Sequence, residues 1–244
     1  MSGKQFYGGK LPGVDTTALN GKLIVIEGAD GSGRSTQIEL LCNWLERRGY
    51  PTTTVGLKRS VLVGEELERA KRGNTMSPIT HSLFYATDFA DQLENKIIPG
   101  LRAGFIVLAD RYIYTMMARD IVRGADPDWI KEVYSIALVP DAVFHLWVPP
   151  KALAERILLK NNVLDYWESG MDIRQSGDMY ECFVQYQTEI QKIFRWMQKV
   201  YRFKVINGNR NVQTISNEFQ AKIEGILKSP DQPDLEEGQT GVSK

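Results

Sequence analysis

The residues Gly28-Ala29-Asp30-Gly31-Ser32-Gly33-Arg34-Ser35-Thr36 follow the apolar run Leu23-Ile24-Val25-Ile26 and lead into an amphipathic stretch. Glycines let such a backbone turn so that successive N–H groups point inward, and a helix opening at Ser35 adds its positive dipole end. The loop is therefore suited to phosphate oxygens. The spacing G-x-x-x-x-G-K-[ST] also calls for a cation near the β- and γ-phosphates and a hydroxyl for Mg²⁺. Those roles fall here to Arg34 and Ser35, with Thr36 alongside, so arginine stands where the pattern has lysine. A planar fork replaces a slender point charge, which leaves binding safer to expect than fast turnover. The expected phosphate ligands are Gly28, Asp30, Gly31, Ser32, Gly33, Arg34, Ser35 and Thr36, with a polyphosphate as guest. A glycine-rich turn without a ligand is the bland alternative, and the strand before and helix after argue against it.

A second constellation closes another apolar run. Phe105-Ile106-Val107-Leu108-Ala109 stops at Asp110-Arg111-Tyr112. A carboxylate at such a strand end can hold Mg²⁺ or its waters, and the adjacent guanidinium can grip a phosphate with two parallel bonds. A structural ion pair is the competing reading. Glu27 is a further acid of this cluster, and its position suits orienting the loop equally well.

Positioning these groups requires strands that end together. Short apolar runs at 23–27, 52–57, 105–109, 142–148 and 203–206 suit buried parallel strands. Helical patterns fill the gaps at about 35–48, 64–72, 78–98, 112–119, 128–138, 150–160, 178–200 and 212–227. The repeated strand-then-helix order predicts an α/β fold of the P-loop NTPase kind, a five-stranded parallel sheet with helices on both faces. Ligands of such sheets bind beyond the carboxyl ends of the strands, where both motifs fall.

Composition narrows the function classes without choosing one. Among 244 residues, 30 basic and 30 acidic side chains cancel, which disfavours a nucleic-acid-coating or membrane-surface protein. Small-molecule nucleotides are the expected partners. The two cysteines, Cys42 and Cys182, lack metal-ligand spacing and suit a reducing compartment, and no apolar run approaches a membrane span. The expected location is the cytoplasm. Residues 1–20 read as a flexible tail, 21–228 as one domain, and the polar, acidic 229–244 as a disordered tail. His81, His145, Trp44, Trp129, Trp147 and Trp196 read as packing residues.

Taken in order, these stretches resemble the thymidylate kinases, a family of P-loop nucleoside monophosphate kinases. Ile26 through Gln37 is similar to the family's opening, and Asp110-Arg111-Tyr112 with Thr115 to its Asp-Arg-Tyr/His-x-x-Ser signature. Leu83-Phe84-Tyr85-Ala86-Thr87-Asp88, with Pro99 beyond, resembles its acceptor-site helix, and Leu164-Asp165-Tyr166-Trp167-Glu168 the segment after its mobile lid. The resemblance implies transfer of the γ-phosphoryl of ATP, with Mg²⁺ held by Ser35 and Asp110, to a nucleoside monophosphate, dTMP above others. Asp30 would then bind the acceptor's sugar, Arg111 its phosphate, and Arg34, Asp110 and Arg111 would form the catalytic set. Residues 160–177 are the expected lid, with Arg156, Lys160 and Arg174 as its cations. A homodimer is also implied, and the aromatic-rich 178–200 helix has apolar excess that could serve it.

The resemblance fails in the acceptor pocket. Tyr85 aligns with a stacking Phe, Phe89 with a base-binding Arg, and Arg119-Asp120 with a Tyr-Gln pair. Arg119 could supply the guanidinium missing at Phe89. The Arg-Glu-Pro-Gly-Gly-Thr segment after the second strand is absent, leaving Lys58 or Arg59 to replace its arginine. Acceptor contacts are thus expected from Asp30, Arg59, Tyr85, Phe89, Arg111, Thr115 and Arg119. A catalytically weak nucleotide-binding relative, or a kinase for another nucleoside or phosphometabolite, are the alternatives these departures raise.

Overall fold

Side chains alternate across a strand, so a sheet covered on both sides needs apolar residues at consecutive positions. A computed structural model of the protein describes residues 3–9, 11–72, 76–173 and 177–228. Strands β1 Lys22–Glu27, β2 Thr52–Gly56, β3 Ile106–Asp110, β4 Ala142–Trp147 and β5 Lys204–Asn207 form one parallel sheet, ordered β2-β3-β1-β4-β5. In the central strand β1, Leu23 and Val25 enter one core and Ile24 and Ile26 the other, all four fully buried. Burying each such side chain contributes roughly 1.5–3 kcal/mol.

The helices are α1 Arg34–Glu46, α2 Gly64–Arg72, α3 Pro78–Gln92, α4 Ile98–Arg102, α5 Ile113–Val122, α6 Pro127–Val133, α7 Pro150–Asn161, α8 Met179–Tyr201 and α9 Val212–Lys228. Ile38, Leu41 and Leu45 of α1, with Ile215, Phe219 and Ile223 of α9, cover the Ile24/Ile26 face. Helices α3, α4, α5 and α8 cover the other.

Three segments depart from the sequence expectation, each for a local reason. The single helix expected over 78–98 is instead α3, a π-helical turn Leu93–Ile97 and α4, with the Ile98 N–H reaching back to Leu93 O. Pro99 has no N–H to give, and the wider turn absorbs the lost register. Helix α6 ends at Val133, although the pattern ran on to 138. Beyond it the backbone pairs with the amino-terminal segment: Tyr7 N–H donates to Ala137 O at 2.9 Å, Val139 N–H to Gln5 O at 2.7 Å, and Phe6 bridges Leu138.

That segment is also the third departure. Lys4 pairs with Asp141 at 2.7 Å, and the Tyr7 hydroxyl lies 2.5 Å from that of Tyr114, so the part of 1–20 described here packs on the body. The expected tail 229–244 lies outside the described residues. Trp147 and Trp196 keep over a third of their surface exposed rather than packing wholly inside. On α8 Phe183, Tyr186, Ile190 and Phe194 are buried, so most of its apolar face is used internally.

Candidate active site

The carboxyl ends of β1 and β3 lie side by side, Ile26 in register with Asp110, which brings the glycine loop against the Asp110-Arg111 turn. Gly33 caps α1 with φ +94°, and Gly31 has φ +77°, left-handed conformations that side chains other than glycine rarely take. A Cβ on Gly31 would also sit 2.9 Å from Ile157 Cγ1 and 3.2 Å from Leu153 O of α7. Glycine at 31 is thus required by both angle and space.

Arg34 does not reach outward. Its Nε donates to Asp110 Oδ1 at 2.9 Å, and Nη1 donates to Gly28 O and, at 2.6 Å, to Ala29 O. Asp30 Oδ1 lies 3.6 Å from Nη2. Asp110 is a junction: Arg59 Nη2 donates to its Oδ2 at 3.2 Å, and Ser35 Oγ stands 3.5 Å from the same oxygen. A hydroxyl and a carboxylate side by side are the hard oxygen donors that Mg²⁺ takes.

Arg111 has φ +71°, rare for a residue with a side chain. Its N–H donates to Ile26 O at 3.0 Å, and its guanidinium donates to Gly28 O at 3.3 Å and Asp30 Oδ1 at 2.8 Å. Burial lowers the Arg111 pKa, an effect that Arg34 reinforces and Asp30 opposes. Burial pushes the Asp30 carboxyl up, but Arg111, Arg34 and Arg119 together outweigh it and hold the group below the usual carboxylate range.

Of its two open roles, Glu27 fills the positioning one. Fully buried, it accepts from the N–H groups of Tyr112 at 2.9 Å and Thr115 at 3.3 Å, and from the Thr115 hydroxyl. It thereby caps α5, whose own N-cap residue Tyr112 has no side-chain bond to offer. Burial raises the Glu27 pKa, and those same bonds restrain it.

Two cavities meet at this junction. The larger, about 580 Å³, runs along Ala29 to Thr36 and is walled by Arg156, Ile157 and Lys160 of α7. Arg156 is itself tied to Gly208 O at 3.1 Å and Asn209 Oδ1 at 3.0 Å. The smaller, about 210 Å³, is lined by Arg59, Tyr85, Arg111 and Arg119 among others, and the two share Asp30, Arg34, Asp165 and Glu168. Asp88 of α3 fixes the basic loop after β2 by accepting from the N–H groups of Lys58 and Ser60, both at 2.8 Å.

Three expected contacts are placed differently, and a fourth cannot be placed. Phe89 packs edge-on against Tyr112 and Tyr134, at 5.1 and 6.0 Å between ring centroids, in the core and outside the lining of the smaller cavity. An apolar ring lowers free energy there more than at a polar wall. The Thr115 hydroxyl is taken by Glu27 and does not line the smaller cavity either. Gly28 lies behind the loop, its carbonyl held by Arg34 and Arg111. Arg174 lies outside the described residues.

Sequence reasoning missed Glu168. Its carboxylate pairs with Arg119 and lies 3.9 Å from Arg111 Nη1, while Arg123 holds Asp172 through two bonds of 2.7 and 3.0 Å. Two arginines one turn apart, one on α5 and one at its C-cap, thus grip two acids four residues apart on the 164–173 strap. That matched spacing was the available signal. Trp167 of the strap stacks on His81 at 5.2 Å, and His81 packs at 4.9 Å from Tyr85.

A parallel sheet, a glycine loop opening a helix, and an acid at the neighbouring strand end define a P-loop protein. The sequence model of the thymidylate kinase family matches residues 26–219, and the chain belongs to that family of phosphotransferases. It is similar to the probable thymidylate kinase 2 of Saccharolobus solfataricus, 39% identical over 81% of this chain and 92% of the relative. The probable thymidylate kinase of Thermococcus kodakarensis is 32% identical, over 84% of this chain and 98% of its own length. The thymidylate kinase of Thermoanaerobacter sp. is 32% identical over 57% and 71%. Among the described residues no helix is long and apolar enough to cross a membrane.

Proposed function

We propose that this protein transfers the γ-phosphoryl group of ATP to dTMP, giving ADP and dTDP. The observation that carries the reading is the pair of cavities meeting at Asp30 and Arg34: one along a phosphate loop, the other rich in guanidinium groups. Phosphoryl transfer needs two anionic substrates held in line and their charge neutralised, with little covalent work for the protein. Arg34 lines both cavities, and its guanidinium, tied to Asp110 and to the Gly28 and Ala29 carbonyls, sets a fixed positive charge beside the transferring group. Arg111 and Arg119 hold the acceptor side, Asp30 takes its sugar, and the buried Tyr85 ring offers the base a flat face. With Phe89 withdrawn into the core, Arg119 is the guanidinium left to reach a base or its sugar.

Ser35 and Asp110 would hold Mg²⁺, which supplies charge neutralisation at the β- and γ-oxygens when bound. Among the described residues no group of three or more His, Cys, Asp or Glu side chains could hold a metal, which suits an ion kept mainly by phosphates and water. Residues 160–177 remain the lid of this reading, with Arg156 and Lys160 at its base, and 21–228 its single domain. A homodimer in the cytoplasm completes it, supported by Ile79 and Leu83 exposed one turn apart on α3 and by two free thiols. Light scattering at micromolar concentration should give twice the chain mass, and a monomer mass removes the dimer.

An ADP-release screen over the common nucleoside monophosphates, with Asp110→Ala as the blank, tests the activity. The fastest release is expected with dTMP. Faster release with another monophosphate reassigns the acceptor, and ATP binding with no release for any acceptor contradicts the reading.

A further inference from the structure

The loop after β2 lacks the arginine expected to hold the acceptor phosphate, and its two cations are already engaged. Lys58 pairs with Glu68, and Arg59 donates to Asp110. The smaller cavity is lined by six cations, Arg34, Lys58, Arg59, Lys71, Arg111 and Arg119, against the four acids Asp30, Asp110, Asp165 and Glu168. With Lys58 taken by Glu68, five cations face the four acids, and one positive charge is left over to meet a phosphate monoester. Five of the cations have ion pairs within the protein; Lys71 has no such partner among the described residues.

We propose that Lys71 binds the acceptor's phosphoryl group directly, entering the cavity from the last turn of α2. The proposal rests on the phosphoryl-transfer reading above and adds a cation that the motifs do not mark. Helix geometry turns Lys71 inward: it lies one turn beyond Leu67, which is fully buried, and so shares its face. The backbone is held there as well. Trp167 Nε1 donates to the Lys71 carbonyl at 3.1 Å, and Trp167 is seated on His81 beside Tyr85, so α2, the strap and the cavity floor are joined at this residue.

Electrostatics point the same way. Burial lowers the Lys71 pKa, Lys58 and Arg119 act in the same sense, and Glu168 and Asp165 act against it. An arriving dianion relieves that strain on the charged form. Lys71 does not line the larger cavity along the phosphate loop, which assigns it to the acceptor rather than to ATP.

Wild type, Lys71→Met and Lys71→Arg are titrated calorimetrically with dTMP and with ATP–Mg²⁺, and thymidine is measured as an inhibitor of turnover. Lys71→Met should weaken dTMP by about tenfold or more, the scale of one charge-assisted contact, while thymidine and ATP stay within about twofold. Lys71→Arg should recover most of the loss. Unchanged dTMP affinity, or equal losses for dTMP and thymidine, overturns the assignment, because only a phosphate contact separates the two ligands. The wild type reports separately on the parent reading: ATP binding without any for dTMP defeats both, whereas normal wild-type turnover with an indifferent Lys71→Met defeats this one alone.

Discussion

In the proposed reading the donor wall and the acceptor wall of the cleft would hold phosphate by different means. On the donor side the loop 28–33 and the first turn of α1 spring from the buried end of β1 and offer backbone amides, with the guanidinium groups of Arg34 and Arg156 added. On the acceptor side the cations come from five places: Arg34, the loop after β2, the end of α2, the end of β3, and α5. Among the described residues all but Lys71 are held in ion pairs, and one of the acids, Glu168, arrives on a strap 49 residues away in sequence from its partner Arg119. A backbone cradle tolerates changes of side chain, whereas a network of paired charges fails wherever one member is removed.

Removing the junction between the walls should have the largest effect. Asp110→Ala frees Arg34 and Arg59 and removes the carboxylate proposed to hold Mg²⁺, so kcat should fall by about 10²–10³, with ATP affinity changed far less. Steady-state kinetics with calorimetric ATP titration separates the two; an equal loss of both would mean that Asp110 only shapes the loop. Breaking the acceptor wall comes next. Arg119→Ala leaves the Glu168 carboxylate buried without its main partner and should destabilise the fold by about 3 kcal/mol, read by urea unfolding. Arg119→Ala combined with Glu168→Leu should recover much of that, while both acceptor KM values stay raised.

A third test lies behind the acceptor wall and turns on pH. Burial raises the Asp120 carboxyl to about 6, and burial lowers His81, 4.0 Å away, to about 3. A raised acid binds more protons folded than unfolded, so its ionisation destabilises the fold as pH climbs from about 4 to 6. Asp120→Asn should therefore stabilise by about 1–3 kcal/mol at pH 8 relative to wild type and by little at pH 4. Equal shifts at both pH values would assign the effect to packing. The smallest effect belongs to Phe89→Leu, which should reduce stability by about 1 kcal/mol and leave the ranking of acceptors unchanged, since the ring sits in the core.

The same contrast explains what the sequence made legible. The five strands, the glycine loop and Asp110 were readable because each is a local pattern: an apolar run, a glycine spacing, an acid where the run stops. Glu168 and Lys71 were not, since each is one charged residue among many and acquires meaning only when α5, α2 and the strap converge. Phe89 was misplaced because alignment with a base-binding position says nothing of which way an apolar ring turns once Tyr112 and Tyr134 offer it contacts. The amino-terminal segment, without period in sequence, packs through the polar contacts of Lys4 and Tyr7 and through Phe6, Leu11 and Val14, apolar residues too scattered to form a pattern.

Whether the two walls act on one reaction is decided by following the phosphoryl group itself. With enzyme in excess over ATP labelled at the γ-position, Mg²⁺ and dTMP, labelled dTDP should appear as ADP is formed, mole for mole, and should be absent with Asp110→Ala. ADP with label in inorganic phosphate instead, or labelled ATP bound and unconverted, would contradict a cleft built to join donor and acceptor at Arg34.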